Sequence, residues 1–212
     1  MNDNTKTEVG ENTQQPANTD THLIITERTT QQRVYTVYIH DRITNSYVYN
    51  KLLTTLNNCT ANDIVHMHIN TPGGYCDTGF QIINAMDNCK GKIVTHLDPQ
   101  GCSMGTYLFF AGDEYVVYEN SYLMFHTISF GTLGKASEIE EHAKFNASRA
   151  ETIAKKYLTP FLSNDEIKRM LRGEDFWFDS KEIAARLKKI SDDRSKKRSS
   201  KSKNVALRFT RS

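Results

Sequence analysis

Apolar and polar residues alternate along RVYTVYIHD (residues 33–41), and the period of two predicts a half-buried β-strand. DIVHMHIN (63–70) and KIVTHLD (92–98) repeat the pattern, and EYVVYENSYLMFH (114–126) predicts two short strands about a turn at Glu119–Asn120. Between them the period lengthens. SYVYNKLLTTLNNC (46–59) predicts a helix, and DTGFQIINAMDNC (77–89) places Phe80, Ile83 and Ala85–Met86 at helical spacing. Residues 100–112, mostly apolar, predict another helix, and residues 134–162 carry Ile139, Ala143, Ala150, Ile153, Ala154 and Tyr157 near a 3.6-residue period. Ser163 with Glu166 and Asp179 with Glu182 have capping-box spacing, so each opens a helix, and Gly173 stands where the first of these stops. Strands that alternate with helices imply an α/β domain with a mainly parallel sheet, and no repeat of fixed period interrupts it.

Composition narrows this little. The 212 residues suit one domain with some tail, and 38% hydrophobic residues suffice for a core. No apolar run reaches the roughly 18 residues of a membrane span, and the polar opening MNDNTKTEVGEN is unlike a signal peptide. Cys59, Cys76, Cys89 and Cys102 form no C-x-x-C pair, which fits reduced cysteines in a cytoplasmic protein. The net charge of +2 is uneven: residues 1–20 are acidic and lack periodicity, as a disordered head would, whereas residues 191–212 hold eight bases and two acids. Such a basic tail either touches nucleic acid or an acidic partner, or is a solvated end, and it has no aromatic interleaving to favour nucleic acid.

The chemistry gathers where strands give way to helices, the place ligands occupy in parallel α/β domains. Two glycine-bearing loops fall there, NTPGG (70–74) and QGCSMG (100–105). Ser103, within G-x-S-x-G, would stand at the first turn of a helix, beside unpaired N–H groups suited to an oxyanion. The same pattern also arises where small residues let helices pack closely, and TPGG alone is a turn. A serine hydroxyl needs a base to become a nucleophile. His126 ends a strand ahead of a glycine-bearing loop and is the best candidate, while His142 falls mid-helix as a surface residue. Asp175 suits the carboxylate that orients the imidazole, with Glu174 and Asp179 as competitors. His66 and His68 share one strand face and could begin a metal site, but spacing places no third ligand.

INTPGG, GCSMGTYLFFAG, NSYLMFHTISFGTLGKASEIEEHAK and RGEDFWFDSKEIA follow in the order and spacing of the ClpP family of serine peptidases, which the chain resembles from Arg33 to Ile190. The resemblance implies an α/β, ClpP/crotonase-like fold of stacked ββα units with a long handle helix, over residues 21–190. It implies Ser103 as nucleophile, His126 as general base and Asp175 as the acid that orients it, with the N–H groups of Gly74 and Met104 as the oxyanion hole. Thr127 to Ile139 would form a glycine-bearing strand that pairs with extended substrate, then the start of the handle. It further implies a homo-oligomer of one or two heptameric rings acting on unfolded proteins or peptides, fed by an AAA+ unfoldase, with no metal or cofactor in the chemistry and no membrane. The chain order serine, histidine, aspartate differs from that of α/β-hydrolases, whose acid precedes the histidine. Ile128 stands where the family usually has proline and Thr71 where it has serine. His66 and His68 stand where it has aromatics that receive unfoldase loops. A maturation protease for viral capsid or scaffold proteins, and a non-catalytic ring subunit, are the alternatives.

Overall fold

The structure, a computed structural model, describes residues 23–28 and 32–192. The polar head expected over residues 1–20, and the basic tail beyond residue 192, lie outside the described residues. Seven strands form one mixed sheet: β1 (Leu23–Arg28), β2 (Val34–His40), β3 (Ile64–Thr71), β4 (Lys92–Cys102), β5 (Glu114–Val117), β6 (Tyr122–Phe125) and β7 (Phe176–Asp179). β2, β3 and β4 run parallel, β1 is antiparallel to β2, and β7 is antiparallel to β6. A 3₁₀ turn (Ser46–Tyr49) leads into α1 (Asn50–Asn57), and α2 (Cys76–Asn88), α3 (Met104–Phe110), α4 (Ala136–Leu158) and α5 (Asn164–Leu171) follow. A last helix, α6, occupies residues 180–192. The α/β architecture is the one the alternation of periods predicts.

The period of two sets the packing. On β2 and β3, Val37, Ile39, Val65, Met67 and Ile69 are fully buried beneath Leu52 and Leu56 of α1 and Ile82 and Ile83 of α2. Each such side chain removed from water contributes about 1.5–3 kcal/mol. A second cluster joins Phe125 of β6 and Phe178 of β7 to Leu158 of α4, Phe161 and Ile183 of α6. Both expected helix starts carry their caps: Ser163 Oγ accepts from Glu166 N while Glu166 accepts from Ser163 N, and Asp179 Oδ1 accepts from Glu182 N at 2.9 Å. Gly173 ends α5 at φ 104°. Arg186 of α6 ties the second cluster together, donating to Glu166 at 2.8 Å with its guanidinium 4.3 Å from the Phe178 ring centre.

The two short strands expected about the Glu119–Asn120 turn are β5 and β6; they lie one after the other along β4, both parallel to it. One expectation changes. The predicted helix over 100–112 is shorter, because residues 100–102 extend β4 and pair with β6.

The half-buried face of the sheet, away from α1 and α2, carries a band of rings. His66 Nδ1 and His96 Nε2 are 2.9 Å apart, His68 stacks on His96 with ring centres 4.4 Å apart, and Tyr38 stacks on His68 at 4.7 Å. His96 Nδ1 meets Tyr118 Oη at 3.1 Å, His68 Nδ1 meets Asp98 Oδ2 at 3.2 Å, and His40 stacks beyond Tyr38. The histidine pair seen in the sequence therefore gains His96, but the rings bond and stack with one another. Among the described residues no group of three His, Cys, Asp or Glu is arranged to hold a metal ion. Burial, then the charges of His68 and His66, push His96 down to about 4, and burial also lowers His66. A histidine whose folded value lies below its ordinary one adds stability above about pH 6.5 and loses it as the pH falls through the folded value. Thermal unfolding is therefore expected at progressively lower temperature from pH 6.5 to 4, and His96→Gln should flatten that slope in melts followed by circular dichroism. An unchanged slope would show that His96 is not the group responsible. Glu166, held down to about 2 chiefly by its bond from Arg186, extends the acid sensitivity to lower pH.

Candidate active site

β6 lies between β4 and β7 at the sheet edge, and its carboxyl end determines which residues meet. Cys102 of β4 is level with Met124 of β6, and Ser103 N donates to Met124 O at 2.8 Å. On the other side the β6–β7 ladder ends at Phe125 opposite Phe176, so His126 and Asp175 are the next residues along their chains beyond the last pair. Ser103, His126 and Asp175 thus follow the adjoining ends of three neighbouring strands or precede them.

Ser103 is the residue before α3 and adopts φ 54°, ψ −118°, a conformation that L-residues rarely hold. Its carbonyl is fixed by Thr106, whose N and Oγ1 donate at 3.0 and 2.6 Å, while its hydroxyl makes no capping bond. The strained turn holds the hydroxyl on the wall of an open cavity of about 670 Å³, which His126 also lines. Asp175 is exposed and lies outside this wall. Among the described residues no hydrogen bond joins Ser103 to His126 or His126 to Asp175. The two competing carboxylates are engaged elsewhere: Glu174 pairs with Arg169, and Asp179 caps α6 at the far end of β7. His142 is exposed on α4, against the Phe130 ring.

The 70–75 loop forms the opposite wall. Gly73 at φ 96° packs so tightly on the Ser103 turn that a Cβ there would lie 2.7 Å from Ser103 Cβ and 3.0 Å from Met104 N. Gly74 at φ 149° is bridged to Ile43, and its N–H makes no hydrogen bond among the described residues. Met104 opens α3, so its N–H has no partner within the helix. The N–H groups of Gly74 and Met104 thus make no hydrogen bond among the described residues, and Gly73 packs against the Ser103 turn.

The floor is apolar, built from Phe80, Met104, Tyr107 and Ile153. Cys76 also lines it, but burial and then the neighbouring Asp77 raise its thiol, so the cavity's one cysteine stays protonated near neutrality. Arg149 reaches Asp77 at 3.3 Å and lies over the Phe80 ring. Arg42 completes the rim. Sequence reasoning missed Arg42, Asp77 and Arg149, which belong to no motif. Only the register that lays residues 41–43 along the 70–75 loop brings Arg42 here.

The segment after His126 is not the strand that the resemblance implies. Residues 127–133 are irregular, and their backbone groups bond to no other backbone among the described residues. A strand needs a neighbour, and one chain offers none at this edge. Beyond it α4 runs for 23 residues, about 35 Å, with its amino half exposed and only Ala150, Ala154 and Leu158 buried. The sequence model described as Clp protease matches residues 17–186.

Proposed function

Because the chain belongs to the Clp protease family of serine peptidases, we propose that it is an endopeptidase whose nucleophile is Ser103. His126 is its general base, and Asp175 the carboxylate that orients the imidazole. The observation that carries the reading is the cavity that Ser103 and His126 both line, with Asp175 just beyond the last β6–β7 pair supporting the third role. Ser103 Oγ attacks the peptide carbonyl carbon as its proton passes to His126. The negative oxygen is held by Gly74 and Met104 N–H groups. Collapse expels the amine, which takes the proton from His126, and water then hydrolyses the acyl-enzyme by the same route. The three side chains are not bonded in the free chain, and catalytic bonds commonly tighten only when substrate arrives.

The unpaired backbone of residues 127–133 supports substrate binding as an added strand, with main-chain bonds giving affinity. The bare amino half of α4, with Phe145 64% and Ile139 38% exposed, supports assembly into rings by helix interlocking. Such a chamber would admit short peptides or unfolded proteins, the latter delivered by an AAA+ unfoldase. The histidine band on the outer face, in place of the family's aromatics, favours a second reading of the biology: a maturation protease for capsid or scaffold proteins that works without an unfoldase.

Fluorophosphonate labelling of the purified protein, with the adduct mapped by mass spectrometry and the native mass taken on the same preparation, tests the chemistry. A single adduct on Ser103 from a ring-sized particle, absent in Ser103→Ala and in His126→Ala, is the expected result. A ring that takes no label would reduce Ser103 to a packing residue. Stimulated degradation of a folded, tagged substrate by an added unfoldase and ATP would separate the first biology from the second.

A further inference from the structure

Among the described residues, the two non-glycine residues at positive φ are Ser103 (54°) and Asp41 (60°). Backbone held in such conformations collects at functional sites. Ser103 carries the proposed nucleophile, and Asp41 immediately precedes Arg42, which lines the same cavity. The turn at Asp41 ends β2, and the chain on both sides of Arg42 is then pinned. Asp41 N donates to Asn70 O at 3.0 Å, Ile43 N to Gly73 O at 2.8 Å, and Tyr75 N to Ile43 O at 3.0 Å. The loop that holds Arg42 is the one whose Gly73 packs on Ser103. The Arg42 backbone is therefore fixed relative to the reacting hydroxyl.

Its side chain is exposed and makes no hydrogen bond or ion pair among the described residues. Of the other charged groups lining the cavity, Arg149 and Asp77 pair with each other at 3.3 Å. Setting aside His126 and His142, that leaves one guanidinium without a counter-charge on a wall whose other side chains are apolar or uncharged, Thr78, Ser129 and Asn146 among the latter. A guanidinium presents a planar fork of donors that matches a carboxylate.

We infer that Arg42 is a specificity-determining residue that binds a carboxylate of the peptide substrate, either an acidic side chain near the scissile bond or the chain-terminal carboxylate. The inference rests on the peptidase reading. It adds a charged preference that the apolar floor does not supply.

A peptide series tests it. Glu or Gln occupies each position of one short peptide in turn, with the carboxyl terminus free or amidated, and cleavage by the full-length protein is followed by mass spectrometry. A charge-assisted pair at the rim is expected to give about a tenfold preference for Glu over Gln at one position, or for the free over the amidated terminus. The first result identifies a side chain, the second the terminus. The ratio should fall to near one in Arg42→Gln, and Arg42→Glu should transfer the preference to Lys. Equal cleavage across the whole series while Ser103 still takes a fluorophosphonate overturns the inference and leaves the peptidase reading intact, as does a preference that survives in Arg42→Gln. If no peptide is cut and no label taken, the peptidase reading fails separately. Anisotropy of dye-labelled Glu and Gln peptides on Ser103→Ala, with and without Arg42→Gln, then decides whether Arg42 binds the carboxylate. Equal affinities would sink it.

Discussion

Replacing Ser103 by glycine is expected to give a protein that is more stable than the parent and has lost its peptidase activity. Two properties of the residue, its backbone and its hydroxyl, can be separated by two substitutions. The backbone at φ 54°, ψ −118° is outside the wells that a side chain favours, and such a residue costs of order 1–3 kcal/mol. Glycine removes that cost, and its extra freedom in the unfolded chain returns about 0.5–1 kcal/mol of it. The hydroxyl makes no capping bond whose loss would offset the gain. A net gain of about 1 kcal/mol raises the melting temperature of a domain this size by roughly 2–4 °C. Ser103→Ala keeps the Cβ and the strain while removing the oxygen, so it should melt with the parent. Both variants should lose about 10⁴-fold or more in kcat/KM, the scale of removing a nucleophile from a serine protease triad. Retained hydrolysis in Ser103→Ala would mean another group attacks. A glycine variant that melts below the parent would show that the turn is not strained.

The same turn explains which features were legible in the sequence. Strand and helix positions followed from periods of two and 3.6, because one-sided burial on the sheet and helices imposes those periods. The capping boxes at Ser163 and Asp179 and the stop at Gly173 could be read because they depend on residues only a few positions apart. Ser103 before a helix, His126 at a strand end and Asp175 in a loop could be singled out, but that Ser103 and His126 line one cavity depends on β6 pairing beside β4, a long-range contact with no local signature.

The extent of β4 was obscured by a breaker. The strand reads as ending at Asp98, with residues 100–105 as a glycine-bearing loop, yet it continues through Pro99 and Gly101 to Cys102. β5 pairs with residues 94–97 of β4 and β6 with residues 100–102, while the β3 ladder shifts register between Ile69 and Thr71. Proline, which has no N–H to donate, falls in the gap between the two partner strands and beside the bulge, where no bond is required of it. The third histidine of the outer band was hidden for a similar reason. His66 and His68 are two apart in one strand, but His96 joins them only because His68 and His96 are level across the β3–β4 ladder.

Gly74→Ala should damage catalysis more than it damages the fold. At φ 149° a side chain is strained whatever the space, and here there is none: a Cβ would lie 2.1 Å from Ile43 O and 2.8 Å from Ile43 N. Those are backbone atoms held by Gly73 and Tyr75, so the loop itself must move away from residues 41–43. That motion carries the Gly74 N–H away from the oxygen that develops charge. Loss of one such donor lowers kcat by about 10²–10³. The structural cost falls where the loop meets Ile43 at the border of the first core cluster, so cooperative melting and the native mass should be retained with a depressed midpoint. The rate of fluorophosphonate labelling at Ser103 should fall with kcat, since the phosphoryl oxygen occupies the same position. Full activity in Gly74→Ala would place the donor elsewhere along residues 70–75. Gly73→Ala would then be the next substitution to make, because its Cβ would press on Ser103 itself, 2.7 Å from its Cβ.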